Sequence, residues 1–227
     1  MVYTRQSIWK RLDDAAMDMQ VFYQCPILNY RGRTADTQEY FTEVAAQWLL
    51  EHYESLGQIR SIRREASYRD LSRNGSTARP DSNRWEERIA MAMKRQGRLP
   101  VAGQVLDYQT PLKNEKCDPA GKIDLLTYDG HTLRIMELKM PDSKETMLRC
   151  VLEGYTYLKT VDGPKLLSDF HLPADTVLAA CPLVFEGGAQ QQEMQEHRPH
   201  LRQLMAVLGI RPFYTAEQNG VYTLREG

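Results

Sequence analysis

The chain has 227 residues, of which 42% are hydrophobic and 26% are charged, a composition typical of a globular protein rather than a disordered or fibrous one. Its net charge is −1 at pH 7, so a preference for nucleic acid would have to be local rather than a property of the whole molecule. The longest apolar run, residues 176–185, is about half the ~20 residues of a transmembrane helix, and no apolar block occurs near the start, which predicts a cytoplasmic, intracellular protein.

The first quarter of the chain is predicted to be helical. From residue 5 to residue 58, apolar residues recur at three- and four-residue spacing, most clearly from Tyr40 to His52, until Gly57 interrupts the pattern. The length allows one main domain with an extension. We therefore predict an N-terminal helical extension over residues 1–58, which is also a candidate homodimer contact, and a main domain over residues 59–227.

The main domain has a mixed pattern of helices and strands. A loop over residues 74–83 leads to a helix, and later runs of branched and aromatic residues between Pro and Gly signals are typical of strands. Helices are predicted at residues 84–96 and 142–159 and in a tail helix ending at 208; strands are predicted at 105–112, 122–128, 132–140, 177–185, 210–214 and 221–224. Asp129-Gly130 and Asn219-Gly220 predict tight hairpin turns. This order predicts an α/β fold, with a mixed central sheet flanked by helices.

Residues with metal-binding chemistry lie on the two strands that Asp129-Gly130 joins. Asp124 is on the first strand, and Glu137 and Lys139 share one face of the second. Pairing across a two-residue turn would put position 124 opposite about 135, which makes Asp124 and Glu137 diagonal neighbours at roughly 7–8 Å or less. The three side chains are therefore predicted to converge.

Two carboxylates and a lysine in apolar strands are costly to bury unless something compensates their charges. A divalent cation does so, and oxygen ligands suit Mg²⁺ or Mn²⁺ better than zinc. The lysine would position or help deprotonate an attacking water and stabilise charge in the transition state. This chemistry predicts hydrolysis of phosphodiester bonds.

The segment Gly121-Lys122-Ile123-Asp124, followed after twelve intervening residues by Glu137-Leu138-Lys139, resembles the core signature of the PD-(D/E)xK nuclease superfamily. The resemblance covers about residues 81–227 and is nearest to RecB-like and resolvase-like members. It implies a restriction-endonuclease-like fold and a Mg²⁺- or Mn²⁺-dependent DNA nuclease. We favour an endonuclease over an exonuclease, although the sequence leaves both open. The proline of the family's name is absent, since Ile123 precedes Asp124.

The resemblance also implies a role for each matching residue. Asp124, Glu137 and the backbone carbonyl of Leu138 would bind the metal, and Lys139 would be the catalytic lysine. Gln109, on the preceding strand, would either contact substrate or be an ordinary edge polar group.

The family tends to carry a glutamate on the helix before the sheet, where it orients water or holds a second ion. Glu86 and Glu87 are the two candidates. The core face of this helix is defined by Trp85, Ile89 and the residues that follow them at helical spacing. Glu86 lies at the edge of that face, and Glu87 lies nearly opposite to it. We therefore prefer Glu86, and a solvated first-turn glutamate is the alternative for either.

RecB-like members often carry a Gln-x3-Tyr motif on the helix after the lysine, and this chain departs from it. Tyr155 follows Val151 at that spacing, and Tyr157 follows Glu153. A row formed by Glu145, Arg149 and Glu153 is interpreted as a surface ion-pair ladder, and contact with a phosphate or with the surroundings of the metal is the alternative.

Positive charge is concentrated in residues 59–98, which carry +6, whereas the rest of the chain sums to −7. Arg63, Arg64, Arg73 and Arg84 are predicted to contact DNA phosphates, with Tyr68 and Trp85 stacking on bases. A solvated charged face is the alternative.

Two other functions remain open from the sequence. The same fold could serve as an inactive nucleic-acid-binding or protein-interaction module, because a fold does not establish an activity. RNA is not excluded as the substrate.

Overall fold

The computed structural model describes residues 3–69 and 85–227. Within them, a seven-stranded mixed sheet is flanked by helices, which confirms the α/β class. The helices are α1 (Arg5–Ala15), α2 (Phe41–Glu51), α3 (Trp85–Gln96), α4 (Met147–Thr160), α5 (Gly163–Asp169), α6 (Ala189–Gln195) and α7 (Pro199–Leu208). The strands are β1 (Arg98–Leu99), β2 (Gly103–Pro111), β3 (Lys122–Tyr128), β4 (Thr132–Lys139), β5 (Val177–Phe185), β6 (Phe213–Gln218) and β7 (Val221–Glu226).

The strands lie in the sheet in their order along the chain. β1 to β4 form an antiparallel meander, β4, β5 and β6 are parallel, and β7 returns antiparallel to β6. The two parallel connections carry the helices α4–α5 and α6–α7, as parallel pairing requires. The first and last strands approach each other, and the side chain of Gln96 bonds both backbone groups of Tyr222 at 2.8 Å.

Each face of the sheet has its own core. On one face, α3 packs Ala90 and Met93 against a cluster that includes Leu125 and Leu138. On the other face, α4 and α7 pack with Ile135 and with the N-terminal helices in one continuous cluster. The sheet is therefore a central layer between two sets of helices.

The N-terminal helices are joined to the sheet through α7. The buried carboxylate of Glu43 in α2 accepts hydrogen bonds from the backbone N–H groups of His200 at 2.9 Å and Leu201 at 3.1 Å. These are first-turn donors of α7 that the helix itself leaves unpaired. Glu43 thus caps α7 from a helix more than 150 positions earlier in the chain.

Several predicted helices differ from the observed ones. Residues 16–40 break the predicted N-terminal helical region into short 3-10 turns, one of which begins at Pro26. The helix expected from residue 142 begins at Met147, where Thr146 caps it by accepting from the N–H of Arg149. The single tail helix is two helices, and the second begins with Pro199, which fits a first-turn position because proline lacks an N–H.

The two predicted hairpin turns have different outcomes. At Asn219-Gly220, both residues have positive φ, 53° and 80°, as the expected two-residue turn requires. Between β3 and β4 the expected two-residue turn is wrong, since Tyr128 pairs with Leu133 and four residues form the loop. The reason is Asp129, whose carboxylate accepts from the N–H groups of two loop residues at 2.9 and 2.8 Å.

The wider loop shifts the predicted register by two residues. Leu126, rather than position 124, pairs with Ile135. Because side chains alternate with a period of two, a shift of two leaves every side chain on its predicted face. Continuing the observed register brings position 124 opposite position 137.

Candidate active site

Three predicted site residues, Glu86, Asp124 and Glu137, line one open cavity of about 450 Å³ at an end of the sheet. Asp124 and Glu137 come from β3 and β4, Glu86 from the first turn of α3, and Tyr157 from α4. Because α3 and α4 cover opposite faces of the sheet, the cavity lies where the two layers of helices meet the strand ends. The sequence prediction that Asp124 and Glu137 approach each other therefore agrees with the geometry.

Asp124 is buried and takes the place of a backbone acceptor. The backbone pairing of β3 with β4 extends to Leu125 and Met136. Beyond that pair, the carboxylate of Asp124 continues the contact between the strands, because its Oδ2 accepts from the N–H of Leu138 at 2.9 Å. Burial raises the pKa of Asp124 to about 7, although the charge of Lys139 acts in the opposite direction. The carboxyl group is thus poised to exchange its proton near neutral pH.

Gln109 holds the second oxygen of this carboxylate. Its Nε2 donates to Oδ1 of Asp124 at 2.6 Å, and its backbone has a φ of 52° in the middle of β2. Such a conformation is unfavourable for a residue with a side chain and persists where the surroundings enforce it. Gln109 is therefore not an isolated polar group at a sheet edge, because its side chain contacts the site residue Asp124.

Glu137 carries an unsatisfied acceptor. Its Oε1 lies 3.0 Å from Nζ of Lys139, whereas its buried Oε2 has no hydrogen-bond partner among the described residues. Burial, reinforced by the neighbouring charge of Asp124, raises the pKa of Glu137 well above its ordinary value. A buried oxygen without a partner is costly, so this atom is suited to a ligand that carries positive charge.

Lys139 lies among three carboxylates. Its Nζ is 2.8 Å from Oε2 of Glu153, 3.0 Å from Oε1 of Glu137 and 3.1 Å from Oε2 of Glu145. Burial alone would lower the pKa of Lys139, but the charges of Glu137 and Glu153 outweigh burial and raise it. The ammonium form is therefore favoured, which suits positioning water or stabilising negative charge better than accepting a proton.

Glu153 and Tyr157 are site residues that the sequence interpretation missed. Glu153 is buried and accepts from the hydroxyl of Tyr157 at 3.3 Å, so its assignment to a surface ladder was wrong. The rest of that row is an ion pair, with Nε of Arg149 3.1 Å from Oε1 of Glu145. The available signal was the four-residue spacing of Glu153 and Tyr157, which matches Gln-x3-Tyr with a glutamate in the first position.

Gly121, the first residue of the recognised motif, lets β3 approach Tyr157. A Cβ atom at this position would lie 2.2 Å from the hydroxyl oxygen of Tyr157, far inside van der Waals contact. The glycine is thus explained by a close approach to α4.

Glu86 lies on the sheet side of α3, one turn before Ala90 and two before Met93, which are both buried. Burial raises the pKa of Glu86, and the charge of Lys139 partly offsets this rise. Glu87 also lines the cavity, so the structure brings both candidates to the site. The prediction that Trp85 belongs to the core face is wrong, since Trp85 is 56% exposed.

The predicted DNA-contacting arginines have different environments. Arg73 and Arg84 lie outside the described residues. Arg63 is exposed, whereas Arg64 is half-buried and donates to the backbone carbonyls of Lys113 and Ser67. Arg64 therefore joins two segments of the chain, and Arg63 is the better placed of the described pair to meet a phosphate.

The prediction that Tyr68 stacks on a base is wrong. Its side chain is fully buried, and its hydroxyl oxygen accepts from the N–H of Asp162 at 2.9 Å. The aromatic ring has no surface to offer to a ligand.

Comparisons with known protein families, curated proteins and solved structures find no match. Within residues 3–69 and 85–227, no three His, Cys, Asp or Glu side chains form a group that could hold a metal ion. A cation at this cavity would therefore need ligands beyond the two carboxylates, from backbone, water or substrate. In the same part of the chain, no helix combines the length and apolarity that crossing a bilayer requires.

Proposed function

We propose that this chain is a Mg²⁺- or Mn²⁺-dependent DNA endonuclease of the PD-(D/E)xK class. The observation that carries the proposal is that Asp124 and Glu137 line one open cavity, that Nζ of Lys139 lies 3.0 Å from Glu137, and that a buried Glu137 oxygen has no described partner. A restriction-endonuclease-like fold is supported by the helix α3 before the paired strands and the amphipathic helix α4 after them.

The donor set fits a hard divalent cation. Asp124 and Glu137 supply carboxylate oxygens, and the backbone carbonyl of Leu138 would complete the protein's share. Mg²⁺ is usually held by one or two carboxylates, with water and substrate phosphate completing its shell, so two carboxylates are sufficient. When bound, the cation would supply Lewis-acid activation of the phosphate and of water.

The remaining residues hold and balance charge. Lys139, kept protonated by Glu137 and Glu153, would stabilise the negative charge that grows on the phosphate oxygens in the transition state. Glu86, on the other side of the cavity, would orient the attacking water. Glu153 would act through Lys139 by fixing the position of its ammonium group.

Cleavage assays test the proposal directly. Purified protein is incubated with linear, circular and branched DNA, and with RNA, in Mg²⁺, Mn²⁺ or chelator. We expect metal-dependent cutting that includes circular DNA, and a loss of about 10²- to 10³-fold in Lys139→Ala, the usual cost of removing one transition-state donor. Lys144→Ala, which alters an exposed lysine five positions away, should cut normally.

Two results would contradict this mechanism: cleavage that persists in Lys139→Ala, or cleavage of equal rate in chelator. Because Lys139 lies among three carboxylates, its removal could unfold the protein, so the isosteric variant Glu137→Gln provides the second test. Its fold is checked by circular dichroism before its activity is compared.

Metal binding separates an active nuclease from an inactive module. A ligand that binds only the folded state at about 100 times its Kd stabilises the fold by ~2.7 kcal/mol. We expect Mn²⁺ to raise the melting temperature of the natural chain and to leave that of Asp124→Ala unchanged. Binding of DNA without metal stabilisation and without cutting would favour the inactive module.

A further inference from the structure

Trp85 is an exposed aromatic ring at the edge of the active-site cavity. It is the first described residue of α3, it is 56% exposed, and it lines the cavity beside Glu86 and Asp124. Among the large apolar side chains that the described residues leave exposed, it is the one that lines this cavity. Neither the metal chemistry nor the packing of α3 accounts for this position.

The packing of α3 shows why Trp85 is not part of the core. The buried line of this helix runs through Ala90 and Met93, with Glu86 one turn earlier. Trp85 lies one residue, or about 100°, away from that line. Its large apolar surface is consequently left in water, which is unfavourable unless a ligand covers it.

The surroundings of the ring are those of a nucleotide-binding position. The guanidinium carbon of Arg88 lies 4.4 Å from the ring centroid of Trp85. Lys122, which is exposed, lines the same cavity. An aromatic ring with positive charge nearby can accept a base on its face while the charge attracts the attached phosphate.

We infer that Trp85 stacks on the base of an unpaired nucleotide, so that the preferred substrate is single-stranded, flapped or frayed DNA. Bases inside a duplex are covered on both faces by their neighbours, whereas an unpaired base has a π-face available for a protein ring. This inference rests on the proposed function, because it concerns the substrate of the same site.

Binding measurements test the stacking without depending on cleavage. All proteins carry Glu137→Gln, so that the DNA survives the titration if the proposed function is correct. Single-stranded and duplex oligonucleotides of the same sequence, labelled with a fluorescent adenine analogue, are titrated in Mg²⁺. Trp85→Ala, Trp85→Phe and Tyr53→Ala are compared, the last as an exposed aromatic that does not line the cavity.

We expect Trp85→Ala to weaken single-strand binding by about 5- to 140-fold, which corresponds to the ~1–3 kcal/mol of one base–aromatic stack. Trp85→Phe should retain most of the affinity, Tyr53→Ala should retain all of it, and duplex binding should change by less than about twofold. In addition, single-stranded DNA should quench tryptophan emission in the protein with Trp85 and not in Trp85→Phe.

The outcomes separate the two proposals. Unchanged single-strand binding in Trp85→Ala, or an equal loss for duplex, would overturn the stacking inference, as would faster cleavage of fully paired DNA than of flaps by the natural protein. Absence of cleavage from every substrate would refute the nuclease while leaving a positive stacking result intact. Absence of binding to any DNA would refute both.

Discussion

Replacing Asp124 by asparagine is expected to stabilise the metal-free protein, and the gain should depend on pH. The folded state raises the pKa of this carboxyl from 3.8 to about 7, chiefly through burial. At 1.36 kcal/mol per pH unit, that difference is worth ~4 kcal/mol. Because this carboxyl group ionises more readily in the unfolded chain, it begins to lower the free energy of unfolding at about pH 4, and the loss reaches its full value a little above about pH 7.

The substitution removes the charge while keeping the hydrogen bonds. The new amide oxygen accepts from the N–H of Leu138, and its NH₂ group meets Gln109, whose own amide can turn to present its oxygen. The charge of Lys139 favours ionised Asp124, and those of Glu86 and Glu153 oppose it, so ~4 kcal/mol is the net of all these contacts. Mn²⁺ should stabilise the natural chain and not the variant.

Urea unfolding in chelator, at about pH 4 and about pH 8, measures this effect. The stability difference between the variant and the natural chain should be small at the lower pH and a few kcal/mol at the higher. Asp129→Asn is the matched control, because we expect it to lower the stability that Asp124→Asn raises. Burial would raise the pKa of Asp129, but hydrogen bonds from Thr132, His131 and Arg134 hold it at about 2, so its charge stabilises the fold above about pH 4. A gain from Asp124→Asn that is equal at both pH values would refute the reasoning.

Three further substitutions test other parts of the site. Gln109→Ala removes a hydrogen bond to Asp124, the proposed metal ligand, and should weaken Mn²⁺ binding by about 10- to 100-fold; an unchanged Kd would count against this role of Gln109. Gly121→Ala should lower the free energy of unfolding by ~1–3 kcal/mol through overlap with Tyr157, and the double variant with Tyr157→Phe should recover part of that stability. Gly57→Ala is the control, because a Cβ there meets no described atom. Equal melting temperatures for Gly121→Ala and Gly57→Ala would disprove the overlap. Arg63→Glu should reduce the slope of log K against log salt by about 0.9 for each duplex phosphate that this side chain neutralises, and an identical slope would exclude Arg63 from the interface.

The sequence predicted the strands, and it predicted that Asp124, Glu137 and Lys139 come together, because both depend on the local alternation of side chains along a strand. The error in the predicted β3–β4 register did not change the predicted site, since a two-residue shift preserves the faces on which Asp124, Glu137 and Lys139 lie. The error itself came from Asp129, whose side chain stabilises a wider loop than its turn signal suggests.

Contacts between distant elements could not be predicted in this way. Glu153 was assigned to the surface because helical spacing alone cannot show that α4 turns this carboxylate toward Lys139. Tyr68 and Trp85 were both expected to stack, but Tyr68 is fully buried, with its hydroxyl against the backbone of Asp162, whereas Trp85 is exposed at the cavity. Burial of each ring is decided by tertiary packing, which no local pattern encodes.

The cap that Glu43 provides to α7 has a practical consequence for dissecting this protein. A fragment that begins at residue 59 would lack the acceptor for two amide groups of α7 and would uncover the apolar surface that α2 now shields. We expect such a fragment to aggregate on expression, whereas versions that retain α2 remain monodisperse in gel filtration. The first sixty residues therefore belong in any recombinant form used for binding or activity assays, because they are part of the scaffold that supports the sheet.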